Sequence, residues 1–302
     1  MIDILPTELL LDIIRLACCD GGPTACSLQL VSRTWKVLTE THKFHSVALA
    51  GGPQQIRSFM GAFEASSEAS RNNLRHICLT TARTNERYVL HRYLLKDFLS
   101  AVAPTIETLV FATDNVSNGN DIAIVLKWIH FPRLTHLKLA VPRIKIIANH
   151  PPQFPRLTHV HLAVHHPSSL ADTHNSLAQL LRIPCSESLI SIRLSGVTLT
   201  EPDTADFFSS LFDFEGEEEL DTDAPLLPPC VVKYIVQVCE NEPAVTAQPD
   251  CALIIRMNEE LGRVRFRLLP PAATLKEQDW KDAWLQVQSG ERDIEQDWRD
   301  LR

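Results

Sequence analysis

The stretch FPRLTHLKLAV, residues 131–141, recurs almost unchanged as FPRLTHVHLAV, residues 154–164. Both copies follow the pattern L-x-x-L-x-L, with aliphatic residues at its first, fourth and sixth positions. The fourth and sixth positions alternate as in a β-strand that turns one side toward a core. Three further segments share the pattern: NNLRHICLTT, APTIETLVFAT and SESLISIRLSG. The five first aliphatic residues are therefore 32, 28, 23 and 32 residues apart: Leu74, Ile106, Leu134, Leu157 and Leu189.

Helix-like stretches separate these segments and lie at residues 87–102, 121–130, 170–183 and 203–213. One strand followed by one helix in 23 to 32 residues is typical of one coil of a solenoid. The pattern is the core signature of leucine-rich repeats, although the asparagine usual after the strand is missing. We therefore predict an α/β fold, an irregular leucine-rich-repeat-like solenoid of parallel strands alternating with helices. An ordinary α/β sheet is the rival interpretation.

The third and fifth positions of each segment should point away from the core, onto the outer face of the sheet. That face is polar and mildly basic within an acidic protein. We predict that it recognises a protein substrate, although solvated sheet residues would show the same pattern. The candidate residues for the substrate face are His76, Thr108, His136, Lys138, His159, His161, Ser191 and Arg193. Cys78 and Val110 occupy the same side of the pattern.

The N-terminal segment predicts a helix with an unusually wide apolar arc. Pro6 suits the first turn of a helix, and Glu8 favours the same turn electrostatically. Six aliphatic residues between Leu9 and Ala17 spread over about 160°, and Leu11 widens the arc to about 220°. A surface helix on one core needs an apolar stripe of only about 100°. We therefore expect this helix to be covered on two sides.

The same segment resembles an F-box. The resemblance spans residues 3–50 and rests on LPTELLL at residues 5–11, VSRTW at residues 31–35 and FHSV at residues 44–47. The insert within ACCDGGPTACSLQLVSRTW is similar to that of the F-box families of basidiomycete fungi. Such a resemblance implies a three-helix module that docks onto the Skp-type adaptor of a cullin–RING ubiquitin ligase. The adaptor-binding residues that it implies are Leu5, Pro6, Leu9, Leu10, Ile13, Ile14, Leu28, Val31 and Trp35. An ordinary N-terminal helical cap on a repeat domain is the alternative.

Composition limits the other possibilities. A chain of 302 residues is long enough for about two domains or one extended repeat, and 45% hydrophobic residues can fill a core. The net charge of −8 provides no global attraction to nucleic acid or to an anionic membrane. Neither a membrane-spanning stretch nor a signal peptide is recognisable. Eight cysteines without a C-x-x-C motif suggest free thiols in a reducing compartment, the cytoplasm or the nucleus.

Signatures of catalysis and metal binding are weak. The hydrolase, zinc-protease and nucleotide-binding motifs do not occur in the sequence, and we expect a non-catalytic protein without a cofactor or metal. His159 and His161 share one side of a strand near His165 and His166, but nearby acids or cysteines that would complete a zinc site are missing. A catalytic Cys–His or Ser–His pair formed in space would leave no such motif, so an unrecognised hydrolase stays a third hypothesis.

The C-terminal part is more heterogeneous. Residues 213–229, DFEGEEELDTDAPLLPP, read as a solvated acidic loop or as an electrostatic dock for a basic partner. CALIIRM and RVRFRLL favour a terminal pair of strands. The helix-like tail LKEQDWKDAWLQVQ places Trp280, Trp284 and Val287 on one side, where they could cap the open end of a solenoid.

The sequence thus predicts an F-box at residues 1–50, a connecting segment at 51–70 and the repeats at 71–212. The acidic loop at 213–229 and the terminal strands and capping helix at 230–302 complete the chain. This organisation indicates a substrate receptor of a Skp–cullin–F-box ubiquitin ligase, with an unidentified protein substrate. The alternative is an interaction scaffold without a role in ubiquitin transfer. We expect neither nucleic acid nor membrane as a partner.

Overall fold

The computed structural model describes residues 5–50, 52–81, 92–142, 154–181, 187–198, 227–240, 266–272 and 277–288, together with Phe207 and Leu211. These residues form an α/β protein in which parallel strands alternate with helices, as predicted. The chain divides into two compact units, residues 1–112 with 276–302 and residues 113–275. We call them the first and the second unit.

Three short helices begin the first unit: α1 (Thr7–Ala17), α2 (Pro23–Val31) and α3 (Arg33–Glu40). Pro6 precedes α1 directly, and Pro23 opens α2, where the missing N–H costs no hydrogen bond. Ser32 separates α2 from α3 and caps α3, because its hydroxyl oxygen accepts a hydrogen bond from the backbone N–H of Trp35.

One sheet of eight strands carries the repeated segments. Its strands are adjacent in chain order: β1 (Ser46–Ala50), β2 (His76–Thr81), β3 (Thr108–Thr113), β4 (His136–Val141), β5 (His159–Ser169), β6 (Ser191–Thr198), β7 (Lys233–Cys239) and β8 (Phe266–Ala272). Every pairing whose register is assigned is parallel. Parallel neighbours require crossover connections. Helices occupy such connections: α4 (Pro53–Glu64), α5 (Glu68–Asn72), α6 (Arg92–Val102), α7 (Val116–Leu126) and α8 (Leu170–Leu181).

The predicted aliphatic positions form the core. All fifteen residues at the first, fourth and sixth positions of the five segments are buried: Leu74, Ile77, Leu79, Ile106, Leu109, Phe111, Leu134, Leu137, Leu139, Leu157, Val160, Leu162, Leu189, Ile192 and Leu194. In the two near-identical copies, Leu137 pairs with Val160 and Leu139 pairs with Leu162 in parallel register. The predicted burial, direction and register of these strands are therefore confirmed.

Two further strands have the same arrangement. Phe44, Val47 and Leu49 occupy the three core positions of β1, and Val231, Tyr234 and Val236 occupy those of β7. Neither copy was predicted from the sequence as part of the repeat, and in each an aromatic residue occupies one core position, as Phe111 does in β3. Phe44 packs edge-to-face on Phe59 and Phe63 of α4, with ring centroids 5.6 and 5.3 Å apart. Residues 51–70, interpreted only as a connecting segment, thus hold α4 and the start of α5.

The helix predicted at residues 121–130 lies several residues earlier in the structure. Asn115 ends the preceding turn, and its side-chain oxygen accepts hydrogen bonds from the N–H groups of Ser117 and Asn118 at 2.9 and 3.3 Å. This cap starts α7 at Val116. The helices predicted at 87–102 and 170–183 correspond to α6 and α8. Of the stretch 203–213, the structure describes Phe207 and Leu211, both helical.

The predicted pair of terminal strands is described in part. RVRFRLL overlaps β8, whose assigned neighbour is β7, in parallel register. CALIIRM and most of the acidic loop lie outside the described residues. The tail forms the last helix, α9 (Glu277–Gln288), which belongs to the first unit.

Candidate functional sites: a helical apolar surface and the outer face of the sheet

The first three helices expose apolar side chains that their own core does not cover. The buried centre of that core is Ile14, Cys18 and Ala25. On α1, Leu9, Ile13 and Leu16 lie about one helical turn apart and are 51, 49 and 69% exposed. We call the exposed large apolar residues of this region the helical apolar surface: Leu5, Leu9, Ile13, Leu16, Leu30, Val31 and Val37.

The predicted adaptor-binding residues separate into three groups. Five are exposed: Leu5, Pro6, Leu9, Ile13 and Val31. Leu10, Leu28 and Trp35 are half-buried, and the last two pack against the three-helix core. The prediction that Ile14 binds the adaptor is wrong. Ile14 is fully buried in that core and cannot reach a partner while the helices stay folded.

Sequence analysis also missed part of this surface. Leu16, Leu30 and Val37 are exposed but were not among the predicted adaptor-binding residues. For Leu16 a signal was present, because Leu9, Ile13 and Leu16 have the i, i+4, i+7 spacing of one helical stripe. Leu30 and Val37 lie next to predicted residues on short helices, whose orientation only the packing of the three helices decides.

Backbone and hydroxyl groups attach the three helices to the sheet within the first unit. The backbone N–H of Ala48 in β1 donates a hydrogen bond to the carbonyl oxygen of Gly21 at 3.0 Å. The Ser46 hydroxyl donates to the carbonyl oxygen of Cys19 at 3.2 Å. Gly21 has a φ of 82°, a left-handed conformation that favours glycine. The turn between α1 and α2 is therefore held directly on the first strand.

Helix α9 covers the outer face of the sheet in the first unit. Trp284 is buried against Cys78 of β2 and Val110 of β3, with Ala48 and Leu285 packed around them. His76 is half-buried and Thr108 is buried, and the His76 Nδ1 and the Thr108 hydroxyl share a hydrogen bond of 2.9 Å. Here the predicted exposed face is wrong, because α9 lies on the face itself rather than at an end of the sheet.

In the second unit, the outer face carries a polar and basic set of side chains. The imidazole rings of His136 and His159 stack 4.6 Å apart. Both rings and Lys138 are half-buried rather than exposed. His161, Ser191 and Arg193 are buried, which corrects their predicted exposure.

Contacts between strands contribute to this burial. Neighbouring strands are about 4.8 Å apart, so outer side chains at paired positions cover one another. Arg193 donates from Nη2 to the side-chain oxygen of Gln237 at 2.9 Å, and the His161 Nε2 and the Ser195 hydroxyl share a hydrogen bond of 2.9 Å. The alternation of a strand predicts the direction of a side chain correctly, but the exposure of that side chain depends on these neighbours.

Burial keeps His136 and His161 neutral at pH 7. Burial, together with the nearby His159 and Lys138, lowers the pKa of His136 to about 4. Burial also lowers the pKa of His161 well below 6.5, with Arg193 and Lys138 as additional positive neighbours. The positive charge of the face therefore comes from lysine and arginine.

The lowered pKa of His161 also matters for a possible hydrolytic Ser–His site. A Ser–His pair exists, because His161 and Ser195 share a hydrogen bond, but a nucleophilic serine needs a partner that accepts its proton near pH 7. The lowered pKa of His161 makes it a poor proton acceptor. Within the described ranges, groups of three or more His, Cys, Asp or Glu side chains that could hold a metal ion do not occur.

Comparison of the chain with family models, curated proteins and solved structures found no match in any of the three. In the part of the chain that the structure describes, all helices are too short or too polar to cross a membrane. The function is therefore inferred from the geometry of the helical apolar surface and of the outer face.

Proposed function

We propose that the chain is an adaptor-bound receptor for protein substrates. More specifically, it would be the substrate-receptor subunit of a Skp–cullin–F-box ubiquitin ligase, with α1–α3 as the F-box and the repeats as an irregular leucine-rich-repeat-like solenoid. In this role the chain binds and positions its substrate, and other subunits transfer ubiquitin.

The helical apolar surface is the observation that carries the proposal. Leu9, Ile13 and Leu16 form one stripe on α1, and all three are about half exposed or more. Burying such side chains contributes about 1.5–3 kcal/mol each, and monomeric proteins rarely leave large apolar patches in water. Leu9 belongs to the L-P-x-E-L-L segment on which the resemblance to an F-box rests, and Ile13 and Leu16 follow it on the same helix. A partner that covers this stripe explains the wide apolar arc of the first helix.

The second observation that supports the proposal is that the helical apolar surface and the outer face of the sheet belong to separately packed parts of the chain. Only a few apolar side chains hold the three helices together, whereas the repeats have an extensive core of their own. A small module built on an independently packed repeat domain can bind one partner while the sheet binds another. This arrangement suits a receptor that joins a substrate to an assembly.

Adaptor capture with an Ile13→Asp variant tests the proposal. Ile13 is about half exposed, so the variant should fold, but an adaptor interface would have to desolvate the new carboxylate. Such a penalty is about 3 kcal/mol or more, so capture of a purified Skp-type adaptor should weaken at least about 100-fold. Tyr93→Asp is the matched control, since Tyr93 is 72% exposed on α6 outside this surface.

The results of adaptor capture distinguish the ubiquitin-ligase receptor from the interaction scaffold. Unchanged adaptor capture by a folded Ile13→Asp variant would refute the F-box assignment. Loss of adaptor capture by the Ile13→Asp variant, combined with the presence of cullin in the complex captured by the wild-type chain, supports the assignment as a ubiquitin-ligase subunit. Adaptor capture without cullin would favour the scaffold alternative instead.

A further inference from the structure

The turns that precede strands β4 to β7 in the second unit are joined by a ladder of backbone hydrogen bonds. The N–H of Thr158 donates to the carbonyl oxygen of Thr135 at 2.9 Å. The N–H of Ile190 donates to Thr158 at 2.8 Å, and the N–H of Val232 donates to Ile190 at 2.9 Å. In each case the N–H of the following residue donates to the same oxygen. These four residues occupy the second position of the repeated pattern, on a backbone that is fixed before a ligand binds.

Two arginines lie side by side just before this ladder. Arg133 and Arg156 occupy equivalent positions in the duplicated FPRLTH segments. Two residues before them, the rings of Phe131 and Phe154 stack with centroids 5.5 Å apart. Two residues after them, the ladder joins the same two segments. Because the segments are aligned on both sides of the arginines, the two Cα atoms are about 5 Å apart, one strand spacing.

The charges of these arginines are not compensated within the described part of the chain. Both side chains are exposed, and neither forms an ion pair or a hydrogen bond with a described residue. Glu187 is exposed in the next turn and forms no ion pair with them either. In the first unit, by contrast, neighbouring turns pair Arg75 with Glu107 at 3.1 Å. Like charges at neighbouring positions repel each other, so the arginine pair does not serve the fold.

The next two turns expose apolar side chains. Ile190 is 40% exposed and Val232 is 46% exposed, and the ladder places them next to each other. We call Arg133, Arg156, Ile190 and Val232 the strand-start surface. It crosses the four turns before β4, β5, β6 and β7, so Arg133 and Val232 are about three strand spacings, or 14 Å, apart.

We propose that the strand-start surface binds an extended segment of the partner protein in which two acidic residues precede a large apolar residue. This inference rests on the proposed function, in which the repeats receive a protein substrate, and it names the chemistry of that substrate. Each guanidinium donates paired hydrogen bonds to one carboxylate, a geometry for which arginine is well suited. Ile190 and Val232 pack on the apolar side chain.

The spacing along the surface defines the pattern of the bound segment. An extended chain advances about 3.3 Å per residue, and every second side chain points to the same side. Carboxylates two residues apart are therefore about 7 Å apart, within reach of the long side chains of Arg133 and Arg156. An apolar side chain two residues further on lies about 13 Å from the first carboxylate. That position falls between Ile190 and Val232, which are about 10 and 14 Å along the surface. The expected pattern is acid–x–acid–x–apolar.

The test measures binding of a fluorescein-labelled peptide, G-S-E-S-E-S-L-S-G, to the purified full chain by fluorescence polarisation. Binding should weaken about threefold or more between 50 and 300 mM salt, because exposed charges are screened. Replacing both glutamates by glutamine, or the leucine by serine, should each weaken binding about fivefold or more. A peptide of the same composition with the leucine between the two glutamates should bind as weakly as these.

Variants of the chain identify the surface. Arg133→Gln/Arg156→Gln should weaken binding about fivefold or more and keep the wild-type melting temperature, because both side chains are exposed. Ile190→Thr/Val232→Thr should weaken binding of the leucine peptide but not of the peptide with serine in its place.

Arg57→Gln/Lys96→Gln is the matched control. Both residues are exposed, on α4 and α6 of the first unit, and the double variant changes the net charge equally. It should alter binding less than about twofold. An equal loss in both charge variants, or a wild type that does not bind the peptide, would overturn the proposal.

Two further measurements distinguish other ligands. The net charge of −8 repels a long polyanion, so tighter binding of a ten-residue oligouridine than of the peptide would overturn the proposal. If only a variant with Glu217, Glu218 and Glu219 changed to serine binds the peptide, the surface accepts the chain's own acidic segment, and a partner ligand is refuted.

Adaptor capture distinguishes failure of this inference from failure of the proposed function. Arg133→Gln/Arg156→Gln should keep its adaptor, and Ile13→Asp should keep the peptide. Loss of the adaptor from the arginine variant would show that the strand-start surface is not a separate binding site.

Discussion

The imidazole rings of His136 and His159 stack 4.6 Å apart and only 6° from parallel. The two residues occupy the same position in the duplicated FPRLTH segments and pair directly in the sheet. In each copy, the Nδ1 atom shares a hydrogen bond of 2.9 Å with the hydroxyl of the preceding threonine. Two protonated rings at this separation would repel each other, so the stack requires that the rings do not both carry charge.

Acid should destabilise the protein through its buried histidines. In the folded chain the pKa values of His136 and His174 are lowered to about 4, from about 6.5 when unfolded. Above pH 6.5 neither state binds these protons. As the pH falls from 6.5 toward 4, the unfolded chain binds protons that the folded chain excludes, so stability decreases. Each of the two histidines should lower the free energy of unfolding by about 2 kcal/mol at pH 5.

Urea unfolding at pH 7.5 and pH 5 measures this effect. His174→Gln should reduce the difference in the free energy of unfolding between pH 7.5 and pH 5 by about 2 kcal/mol. His130→Gln, at an exposed histidine, is the matched control. An unchanged pH dependence in His174→Gln would contradict the prediction.

The hydrogen bond between His174 of α8 and Tyr234 of β7 should stabilise the core of the second unit. The His174 Nδ1 and the Tyr234 hydroxyl are 2.8 Å apart, and both residues are buried. Tyr234→Phe removes the hydroxyl and leaves the ring nitrogen unsatisfied, at a cost of about 1–3 kcal/mol in urea unfolding. Tyr93→Phe, on an exposed ring, should change stability by less than about 0.5 kcal/mol. Equal effects of the two variants would show that the bond is not stabilising.

Two glycines should respond to alanine in opposite directions. Gly21 has a φ of 82°, and a Cβ there would lie 2.7 Å from the Cβ of Ala48. Gly21→Ala should therefore destabilise the first unit by about 1–3 kcal/mol through backbone strain and the clash with β1. Gly61 lies within α4 with open space around it, so Gly61→Ala should stabilise by about 0.5–1 kcal/mol. Thermal unfolding of both variants decides whether the turn and β1 are as close as described.

The packing of α9 on the outer face can be tested through a thiol. The thiol of Cys78 is buried beneath Trp284. Trp284→Ala should destabilise the first unit by about 3–5 kcal/mol and expose Cys78 to a thiol reagent such as DTNB. Trp128→Ala, at a tryptophan that is 62% exposed, should change neither quantity much. If Trp284→Ala left both stability and thiol reactivity at wild-type values, the placement of α9 would be wrong.

The sequence by itself determined the strands, their parallel order and the side that forms the core. Leu137 and Val160 are paired because duplicated segments of one period place equivalent residues at equivalent sheet positions. The copies in β1 and β7, with Phe44 and Tyr234 at core positions, were not predicted from the sequence.

Only the tertiary structure decided which outer residues are accessible. Alternation along a strand predicts that Cys78 and His161 point away from the core, and that direction is correct. Their burial results from elements distant in the chain, since Trp284 covers Cys78, while His161 lies beside Arg193 and shares a hydrogen bond with Ser195. Ile14 is buried, and Ile13 beside it is exposed, because packing on α2 and α3 selects which part of an apolar arc is covered. Direction is a local property of the backbone, whereas accessibility depends on long-range packing.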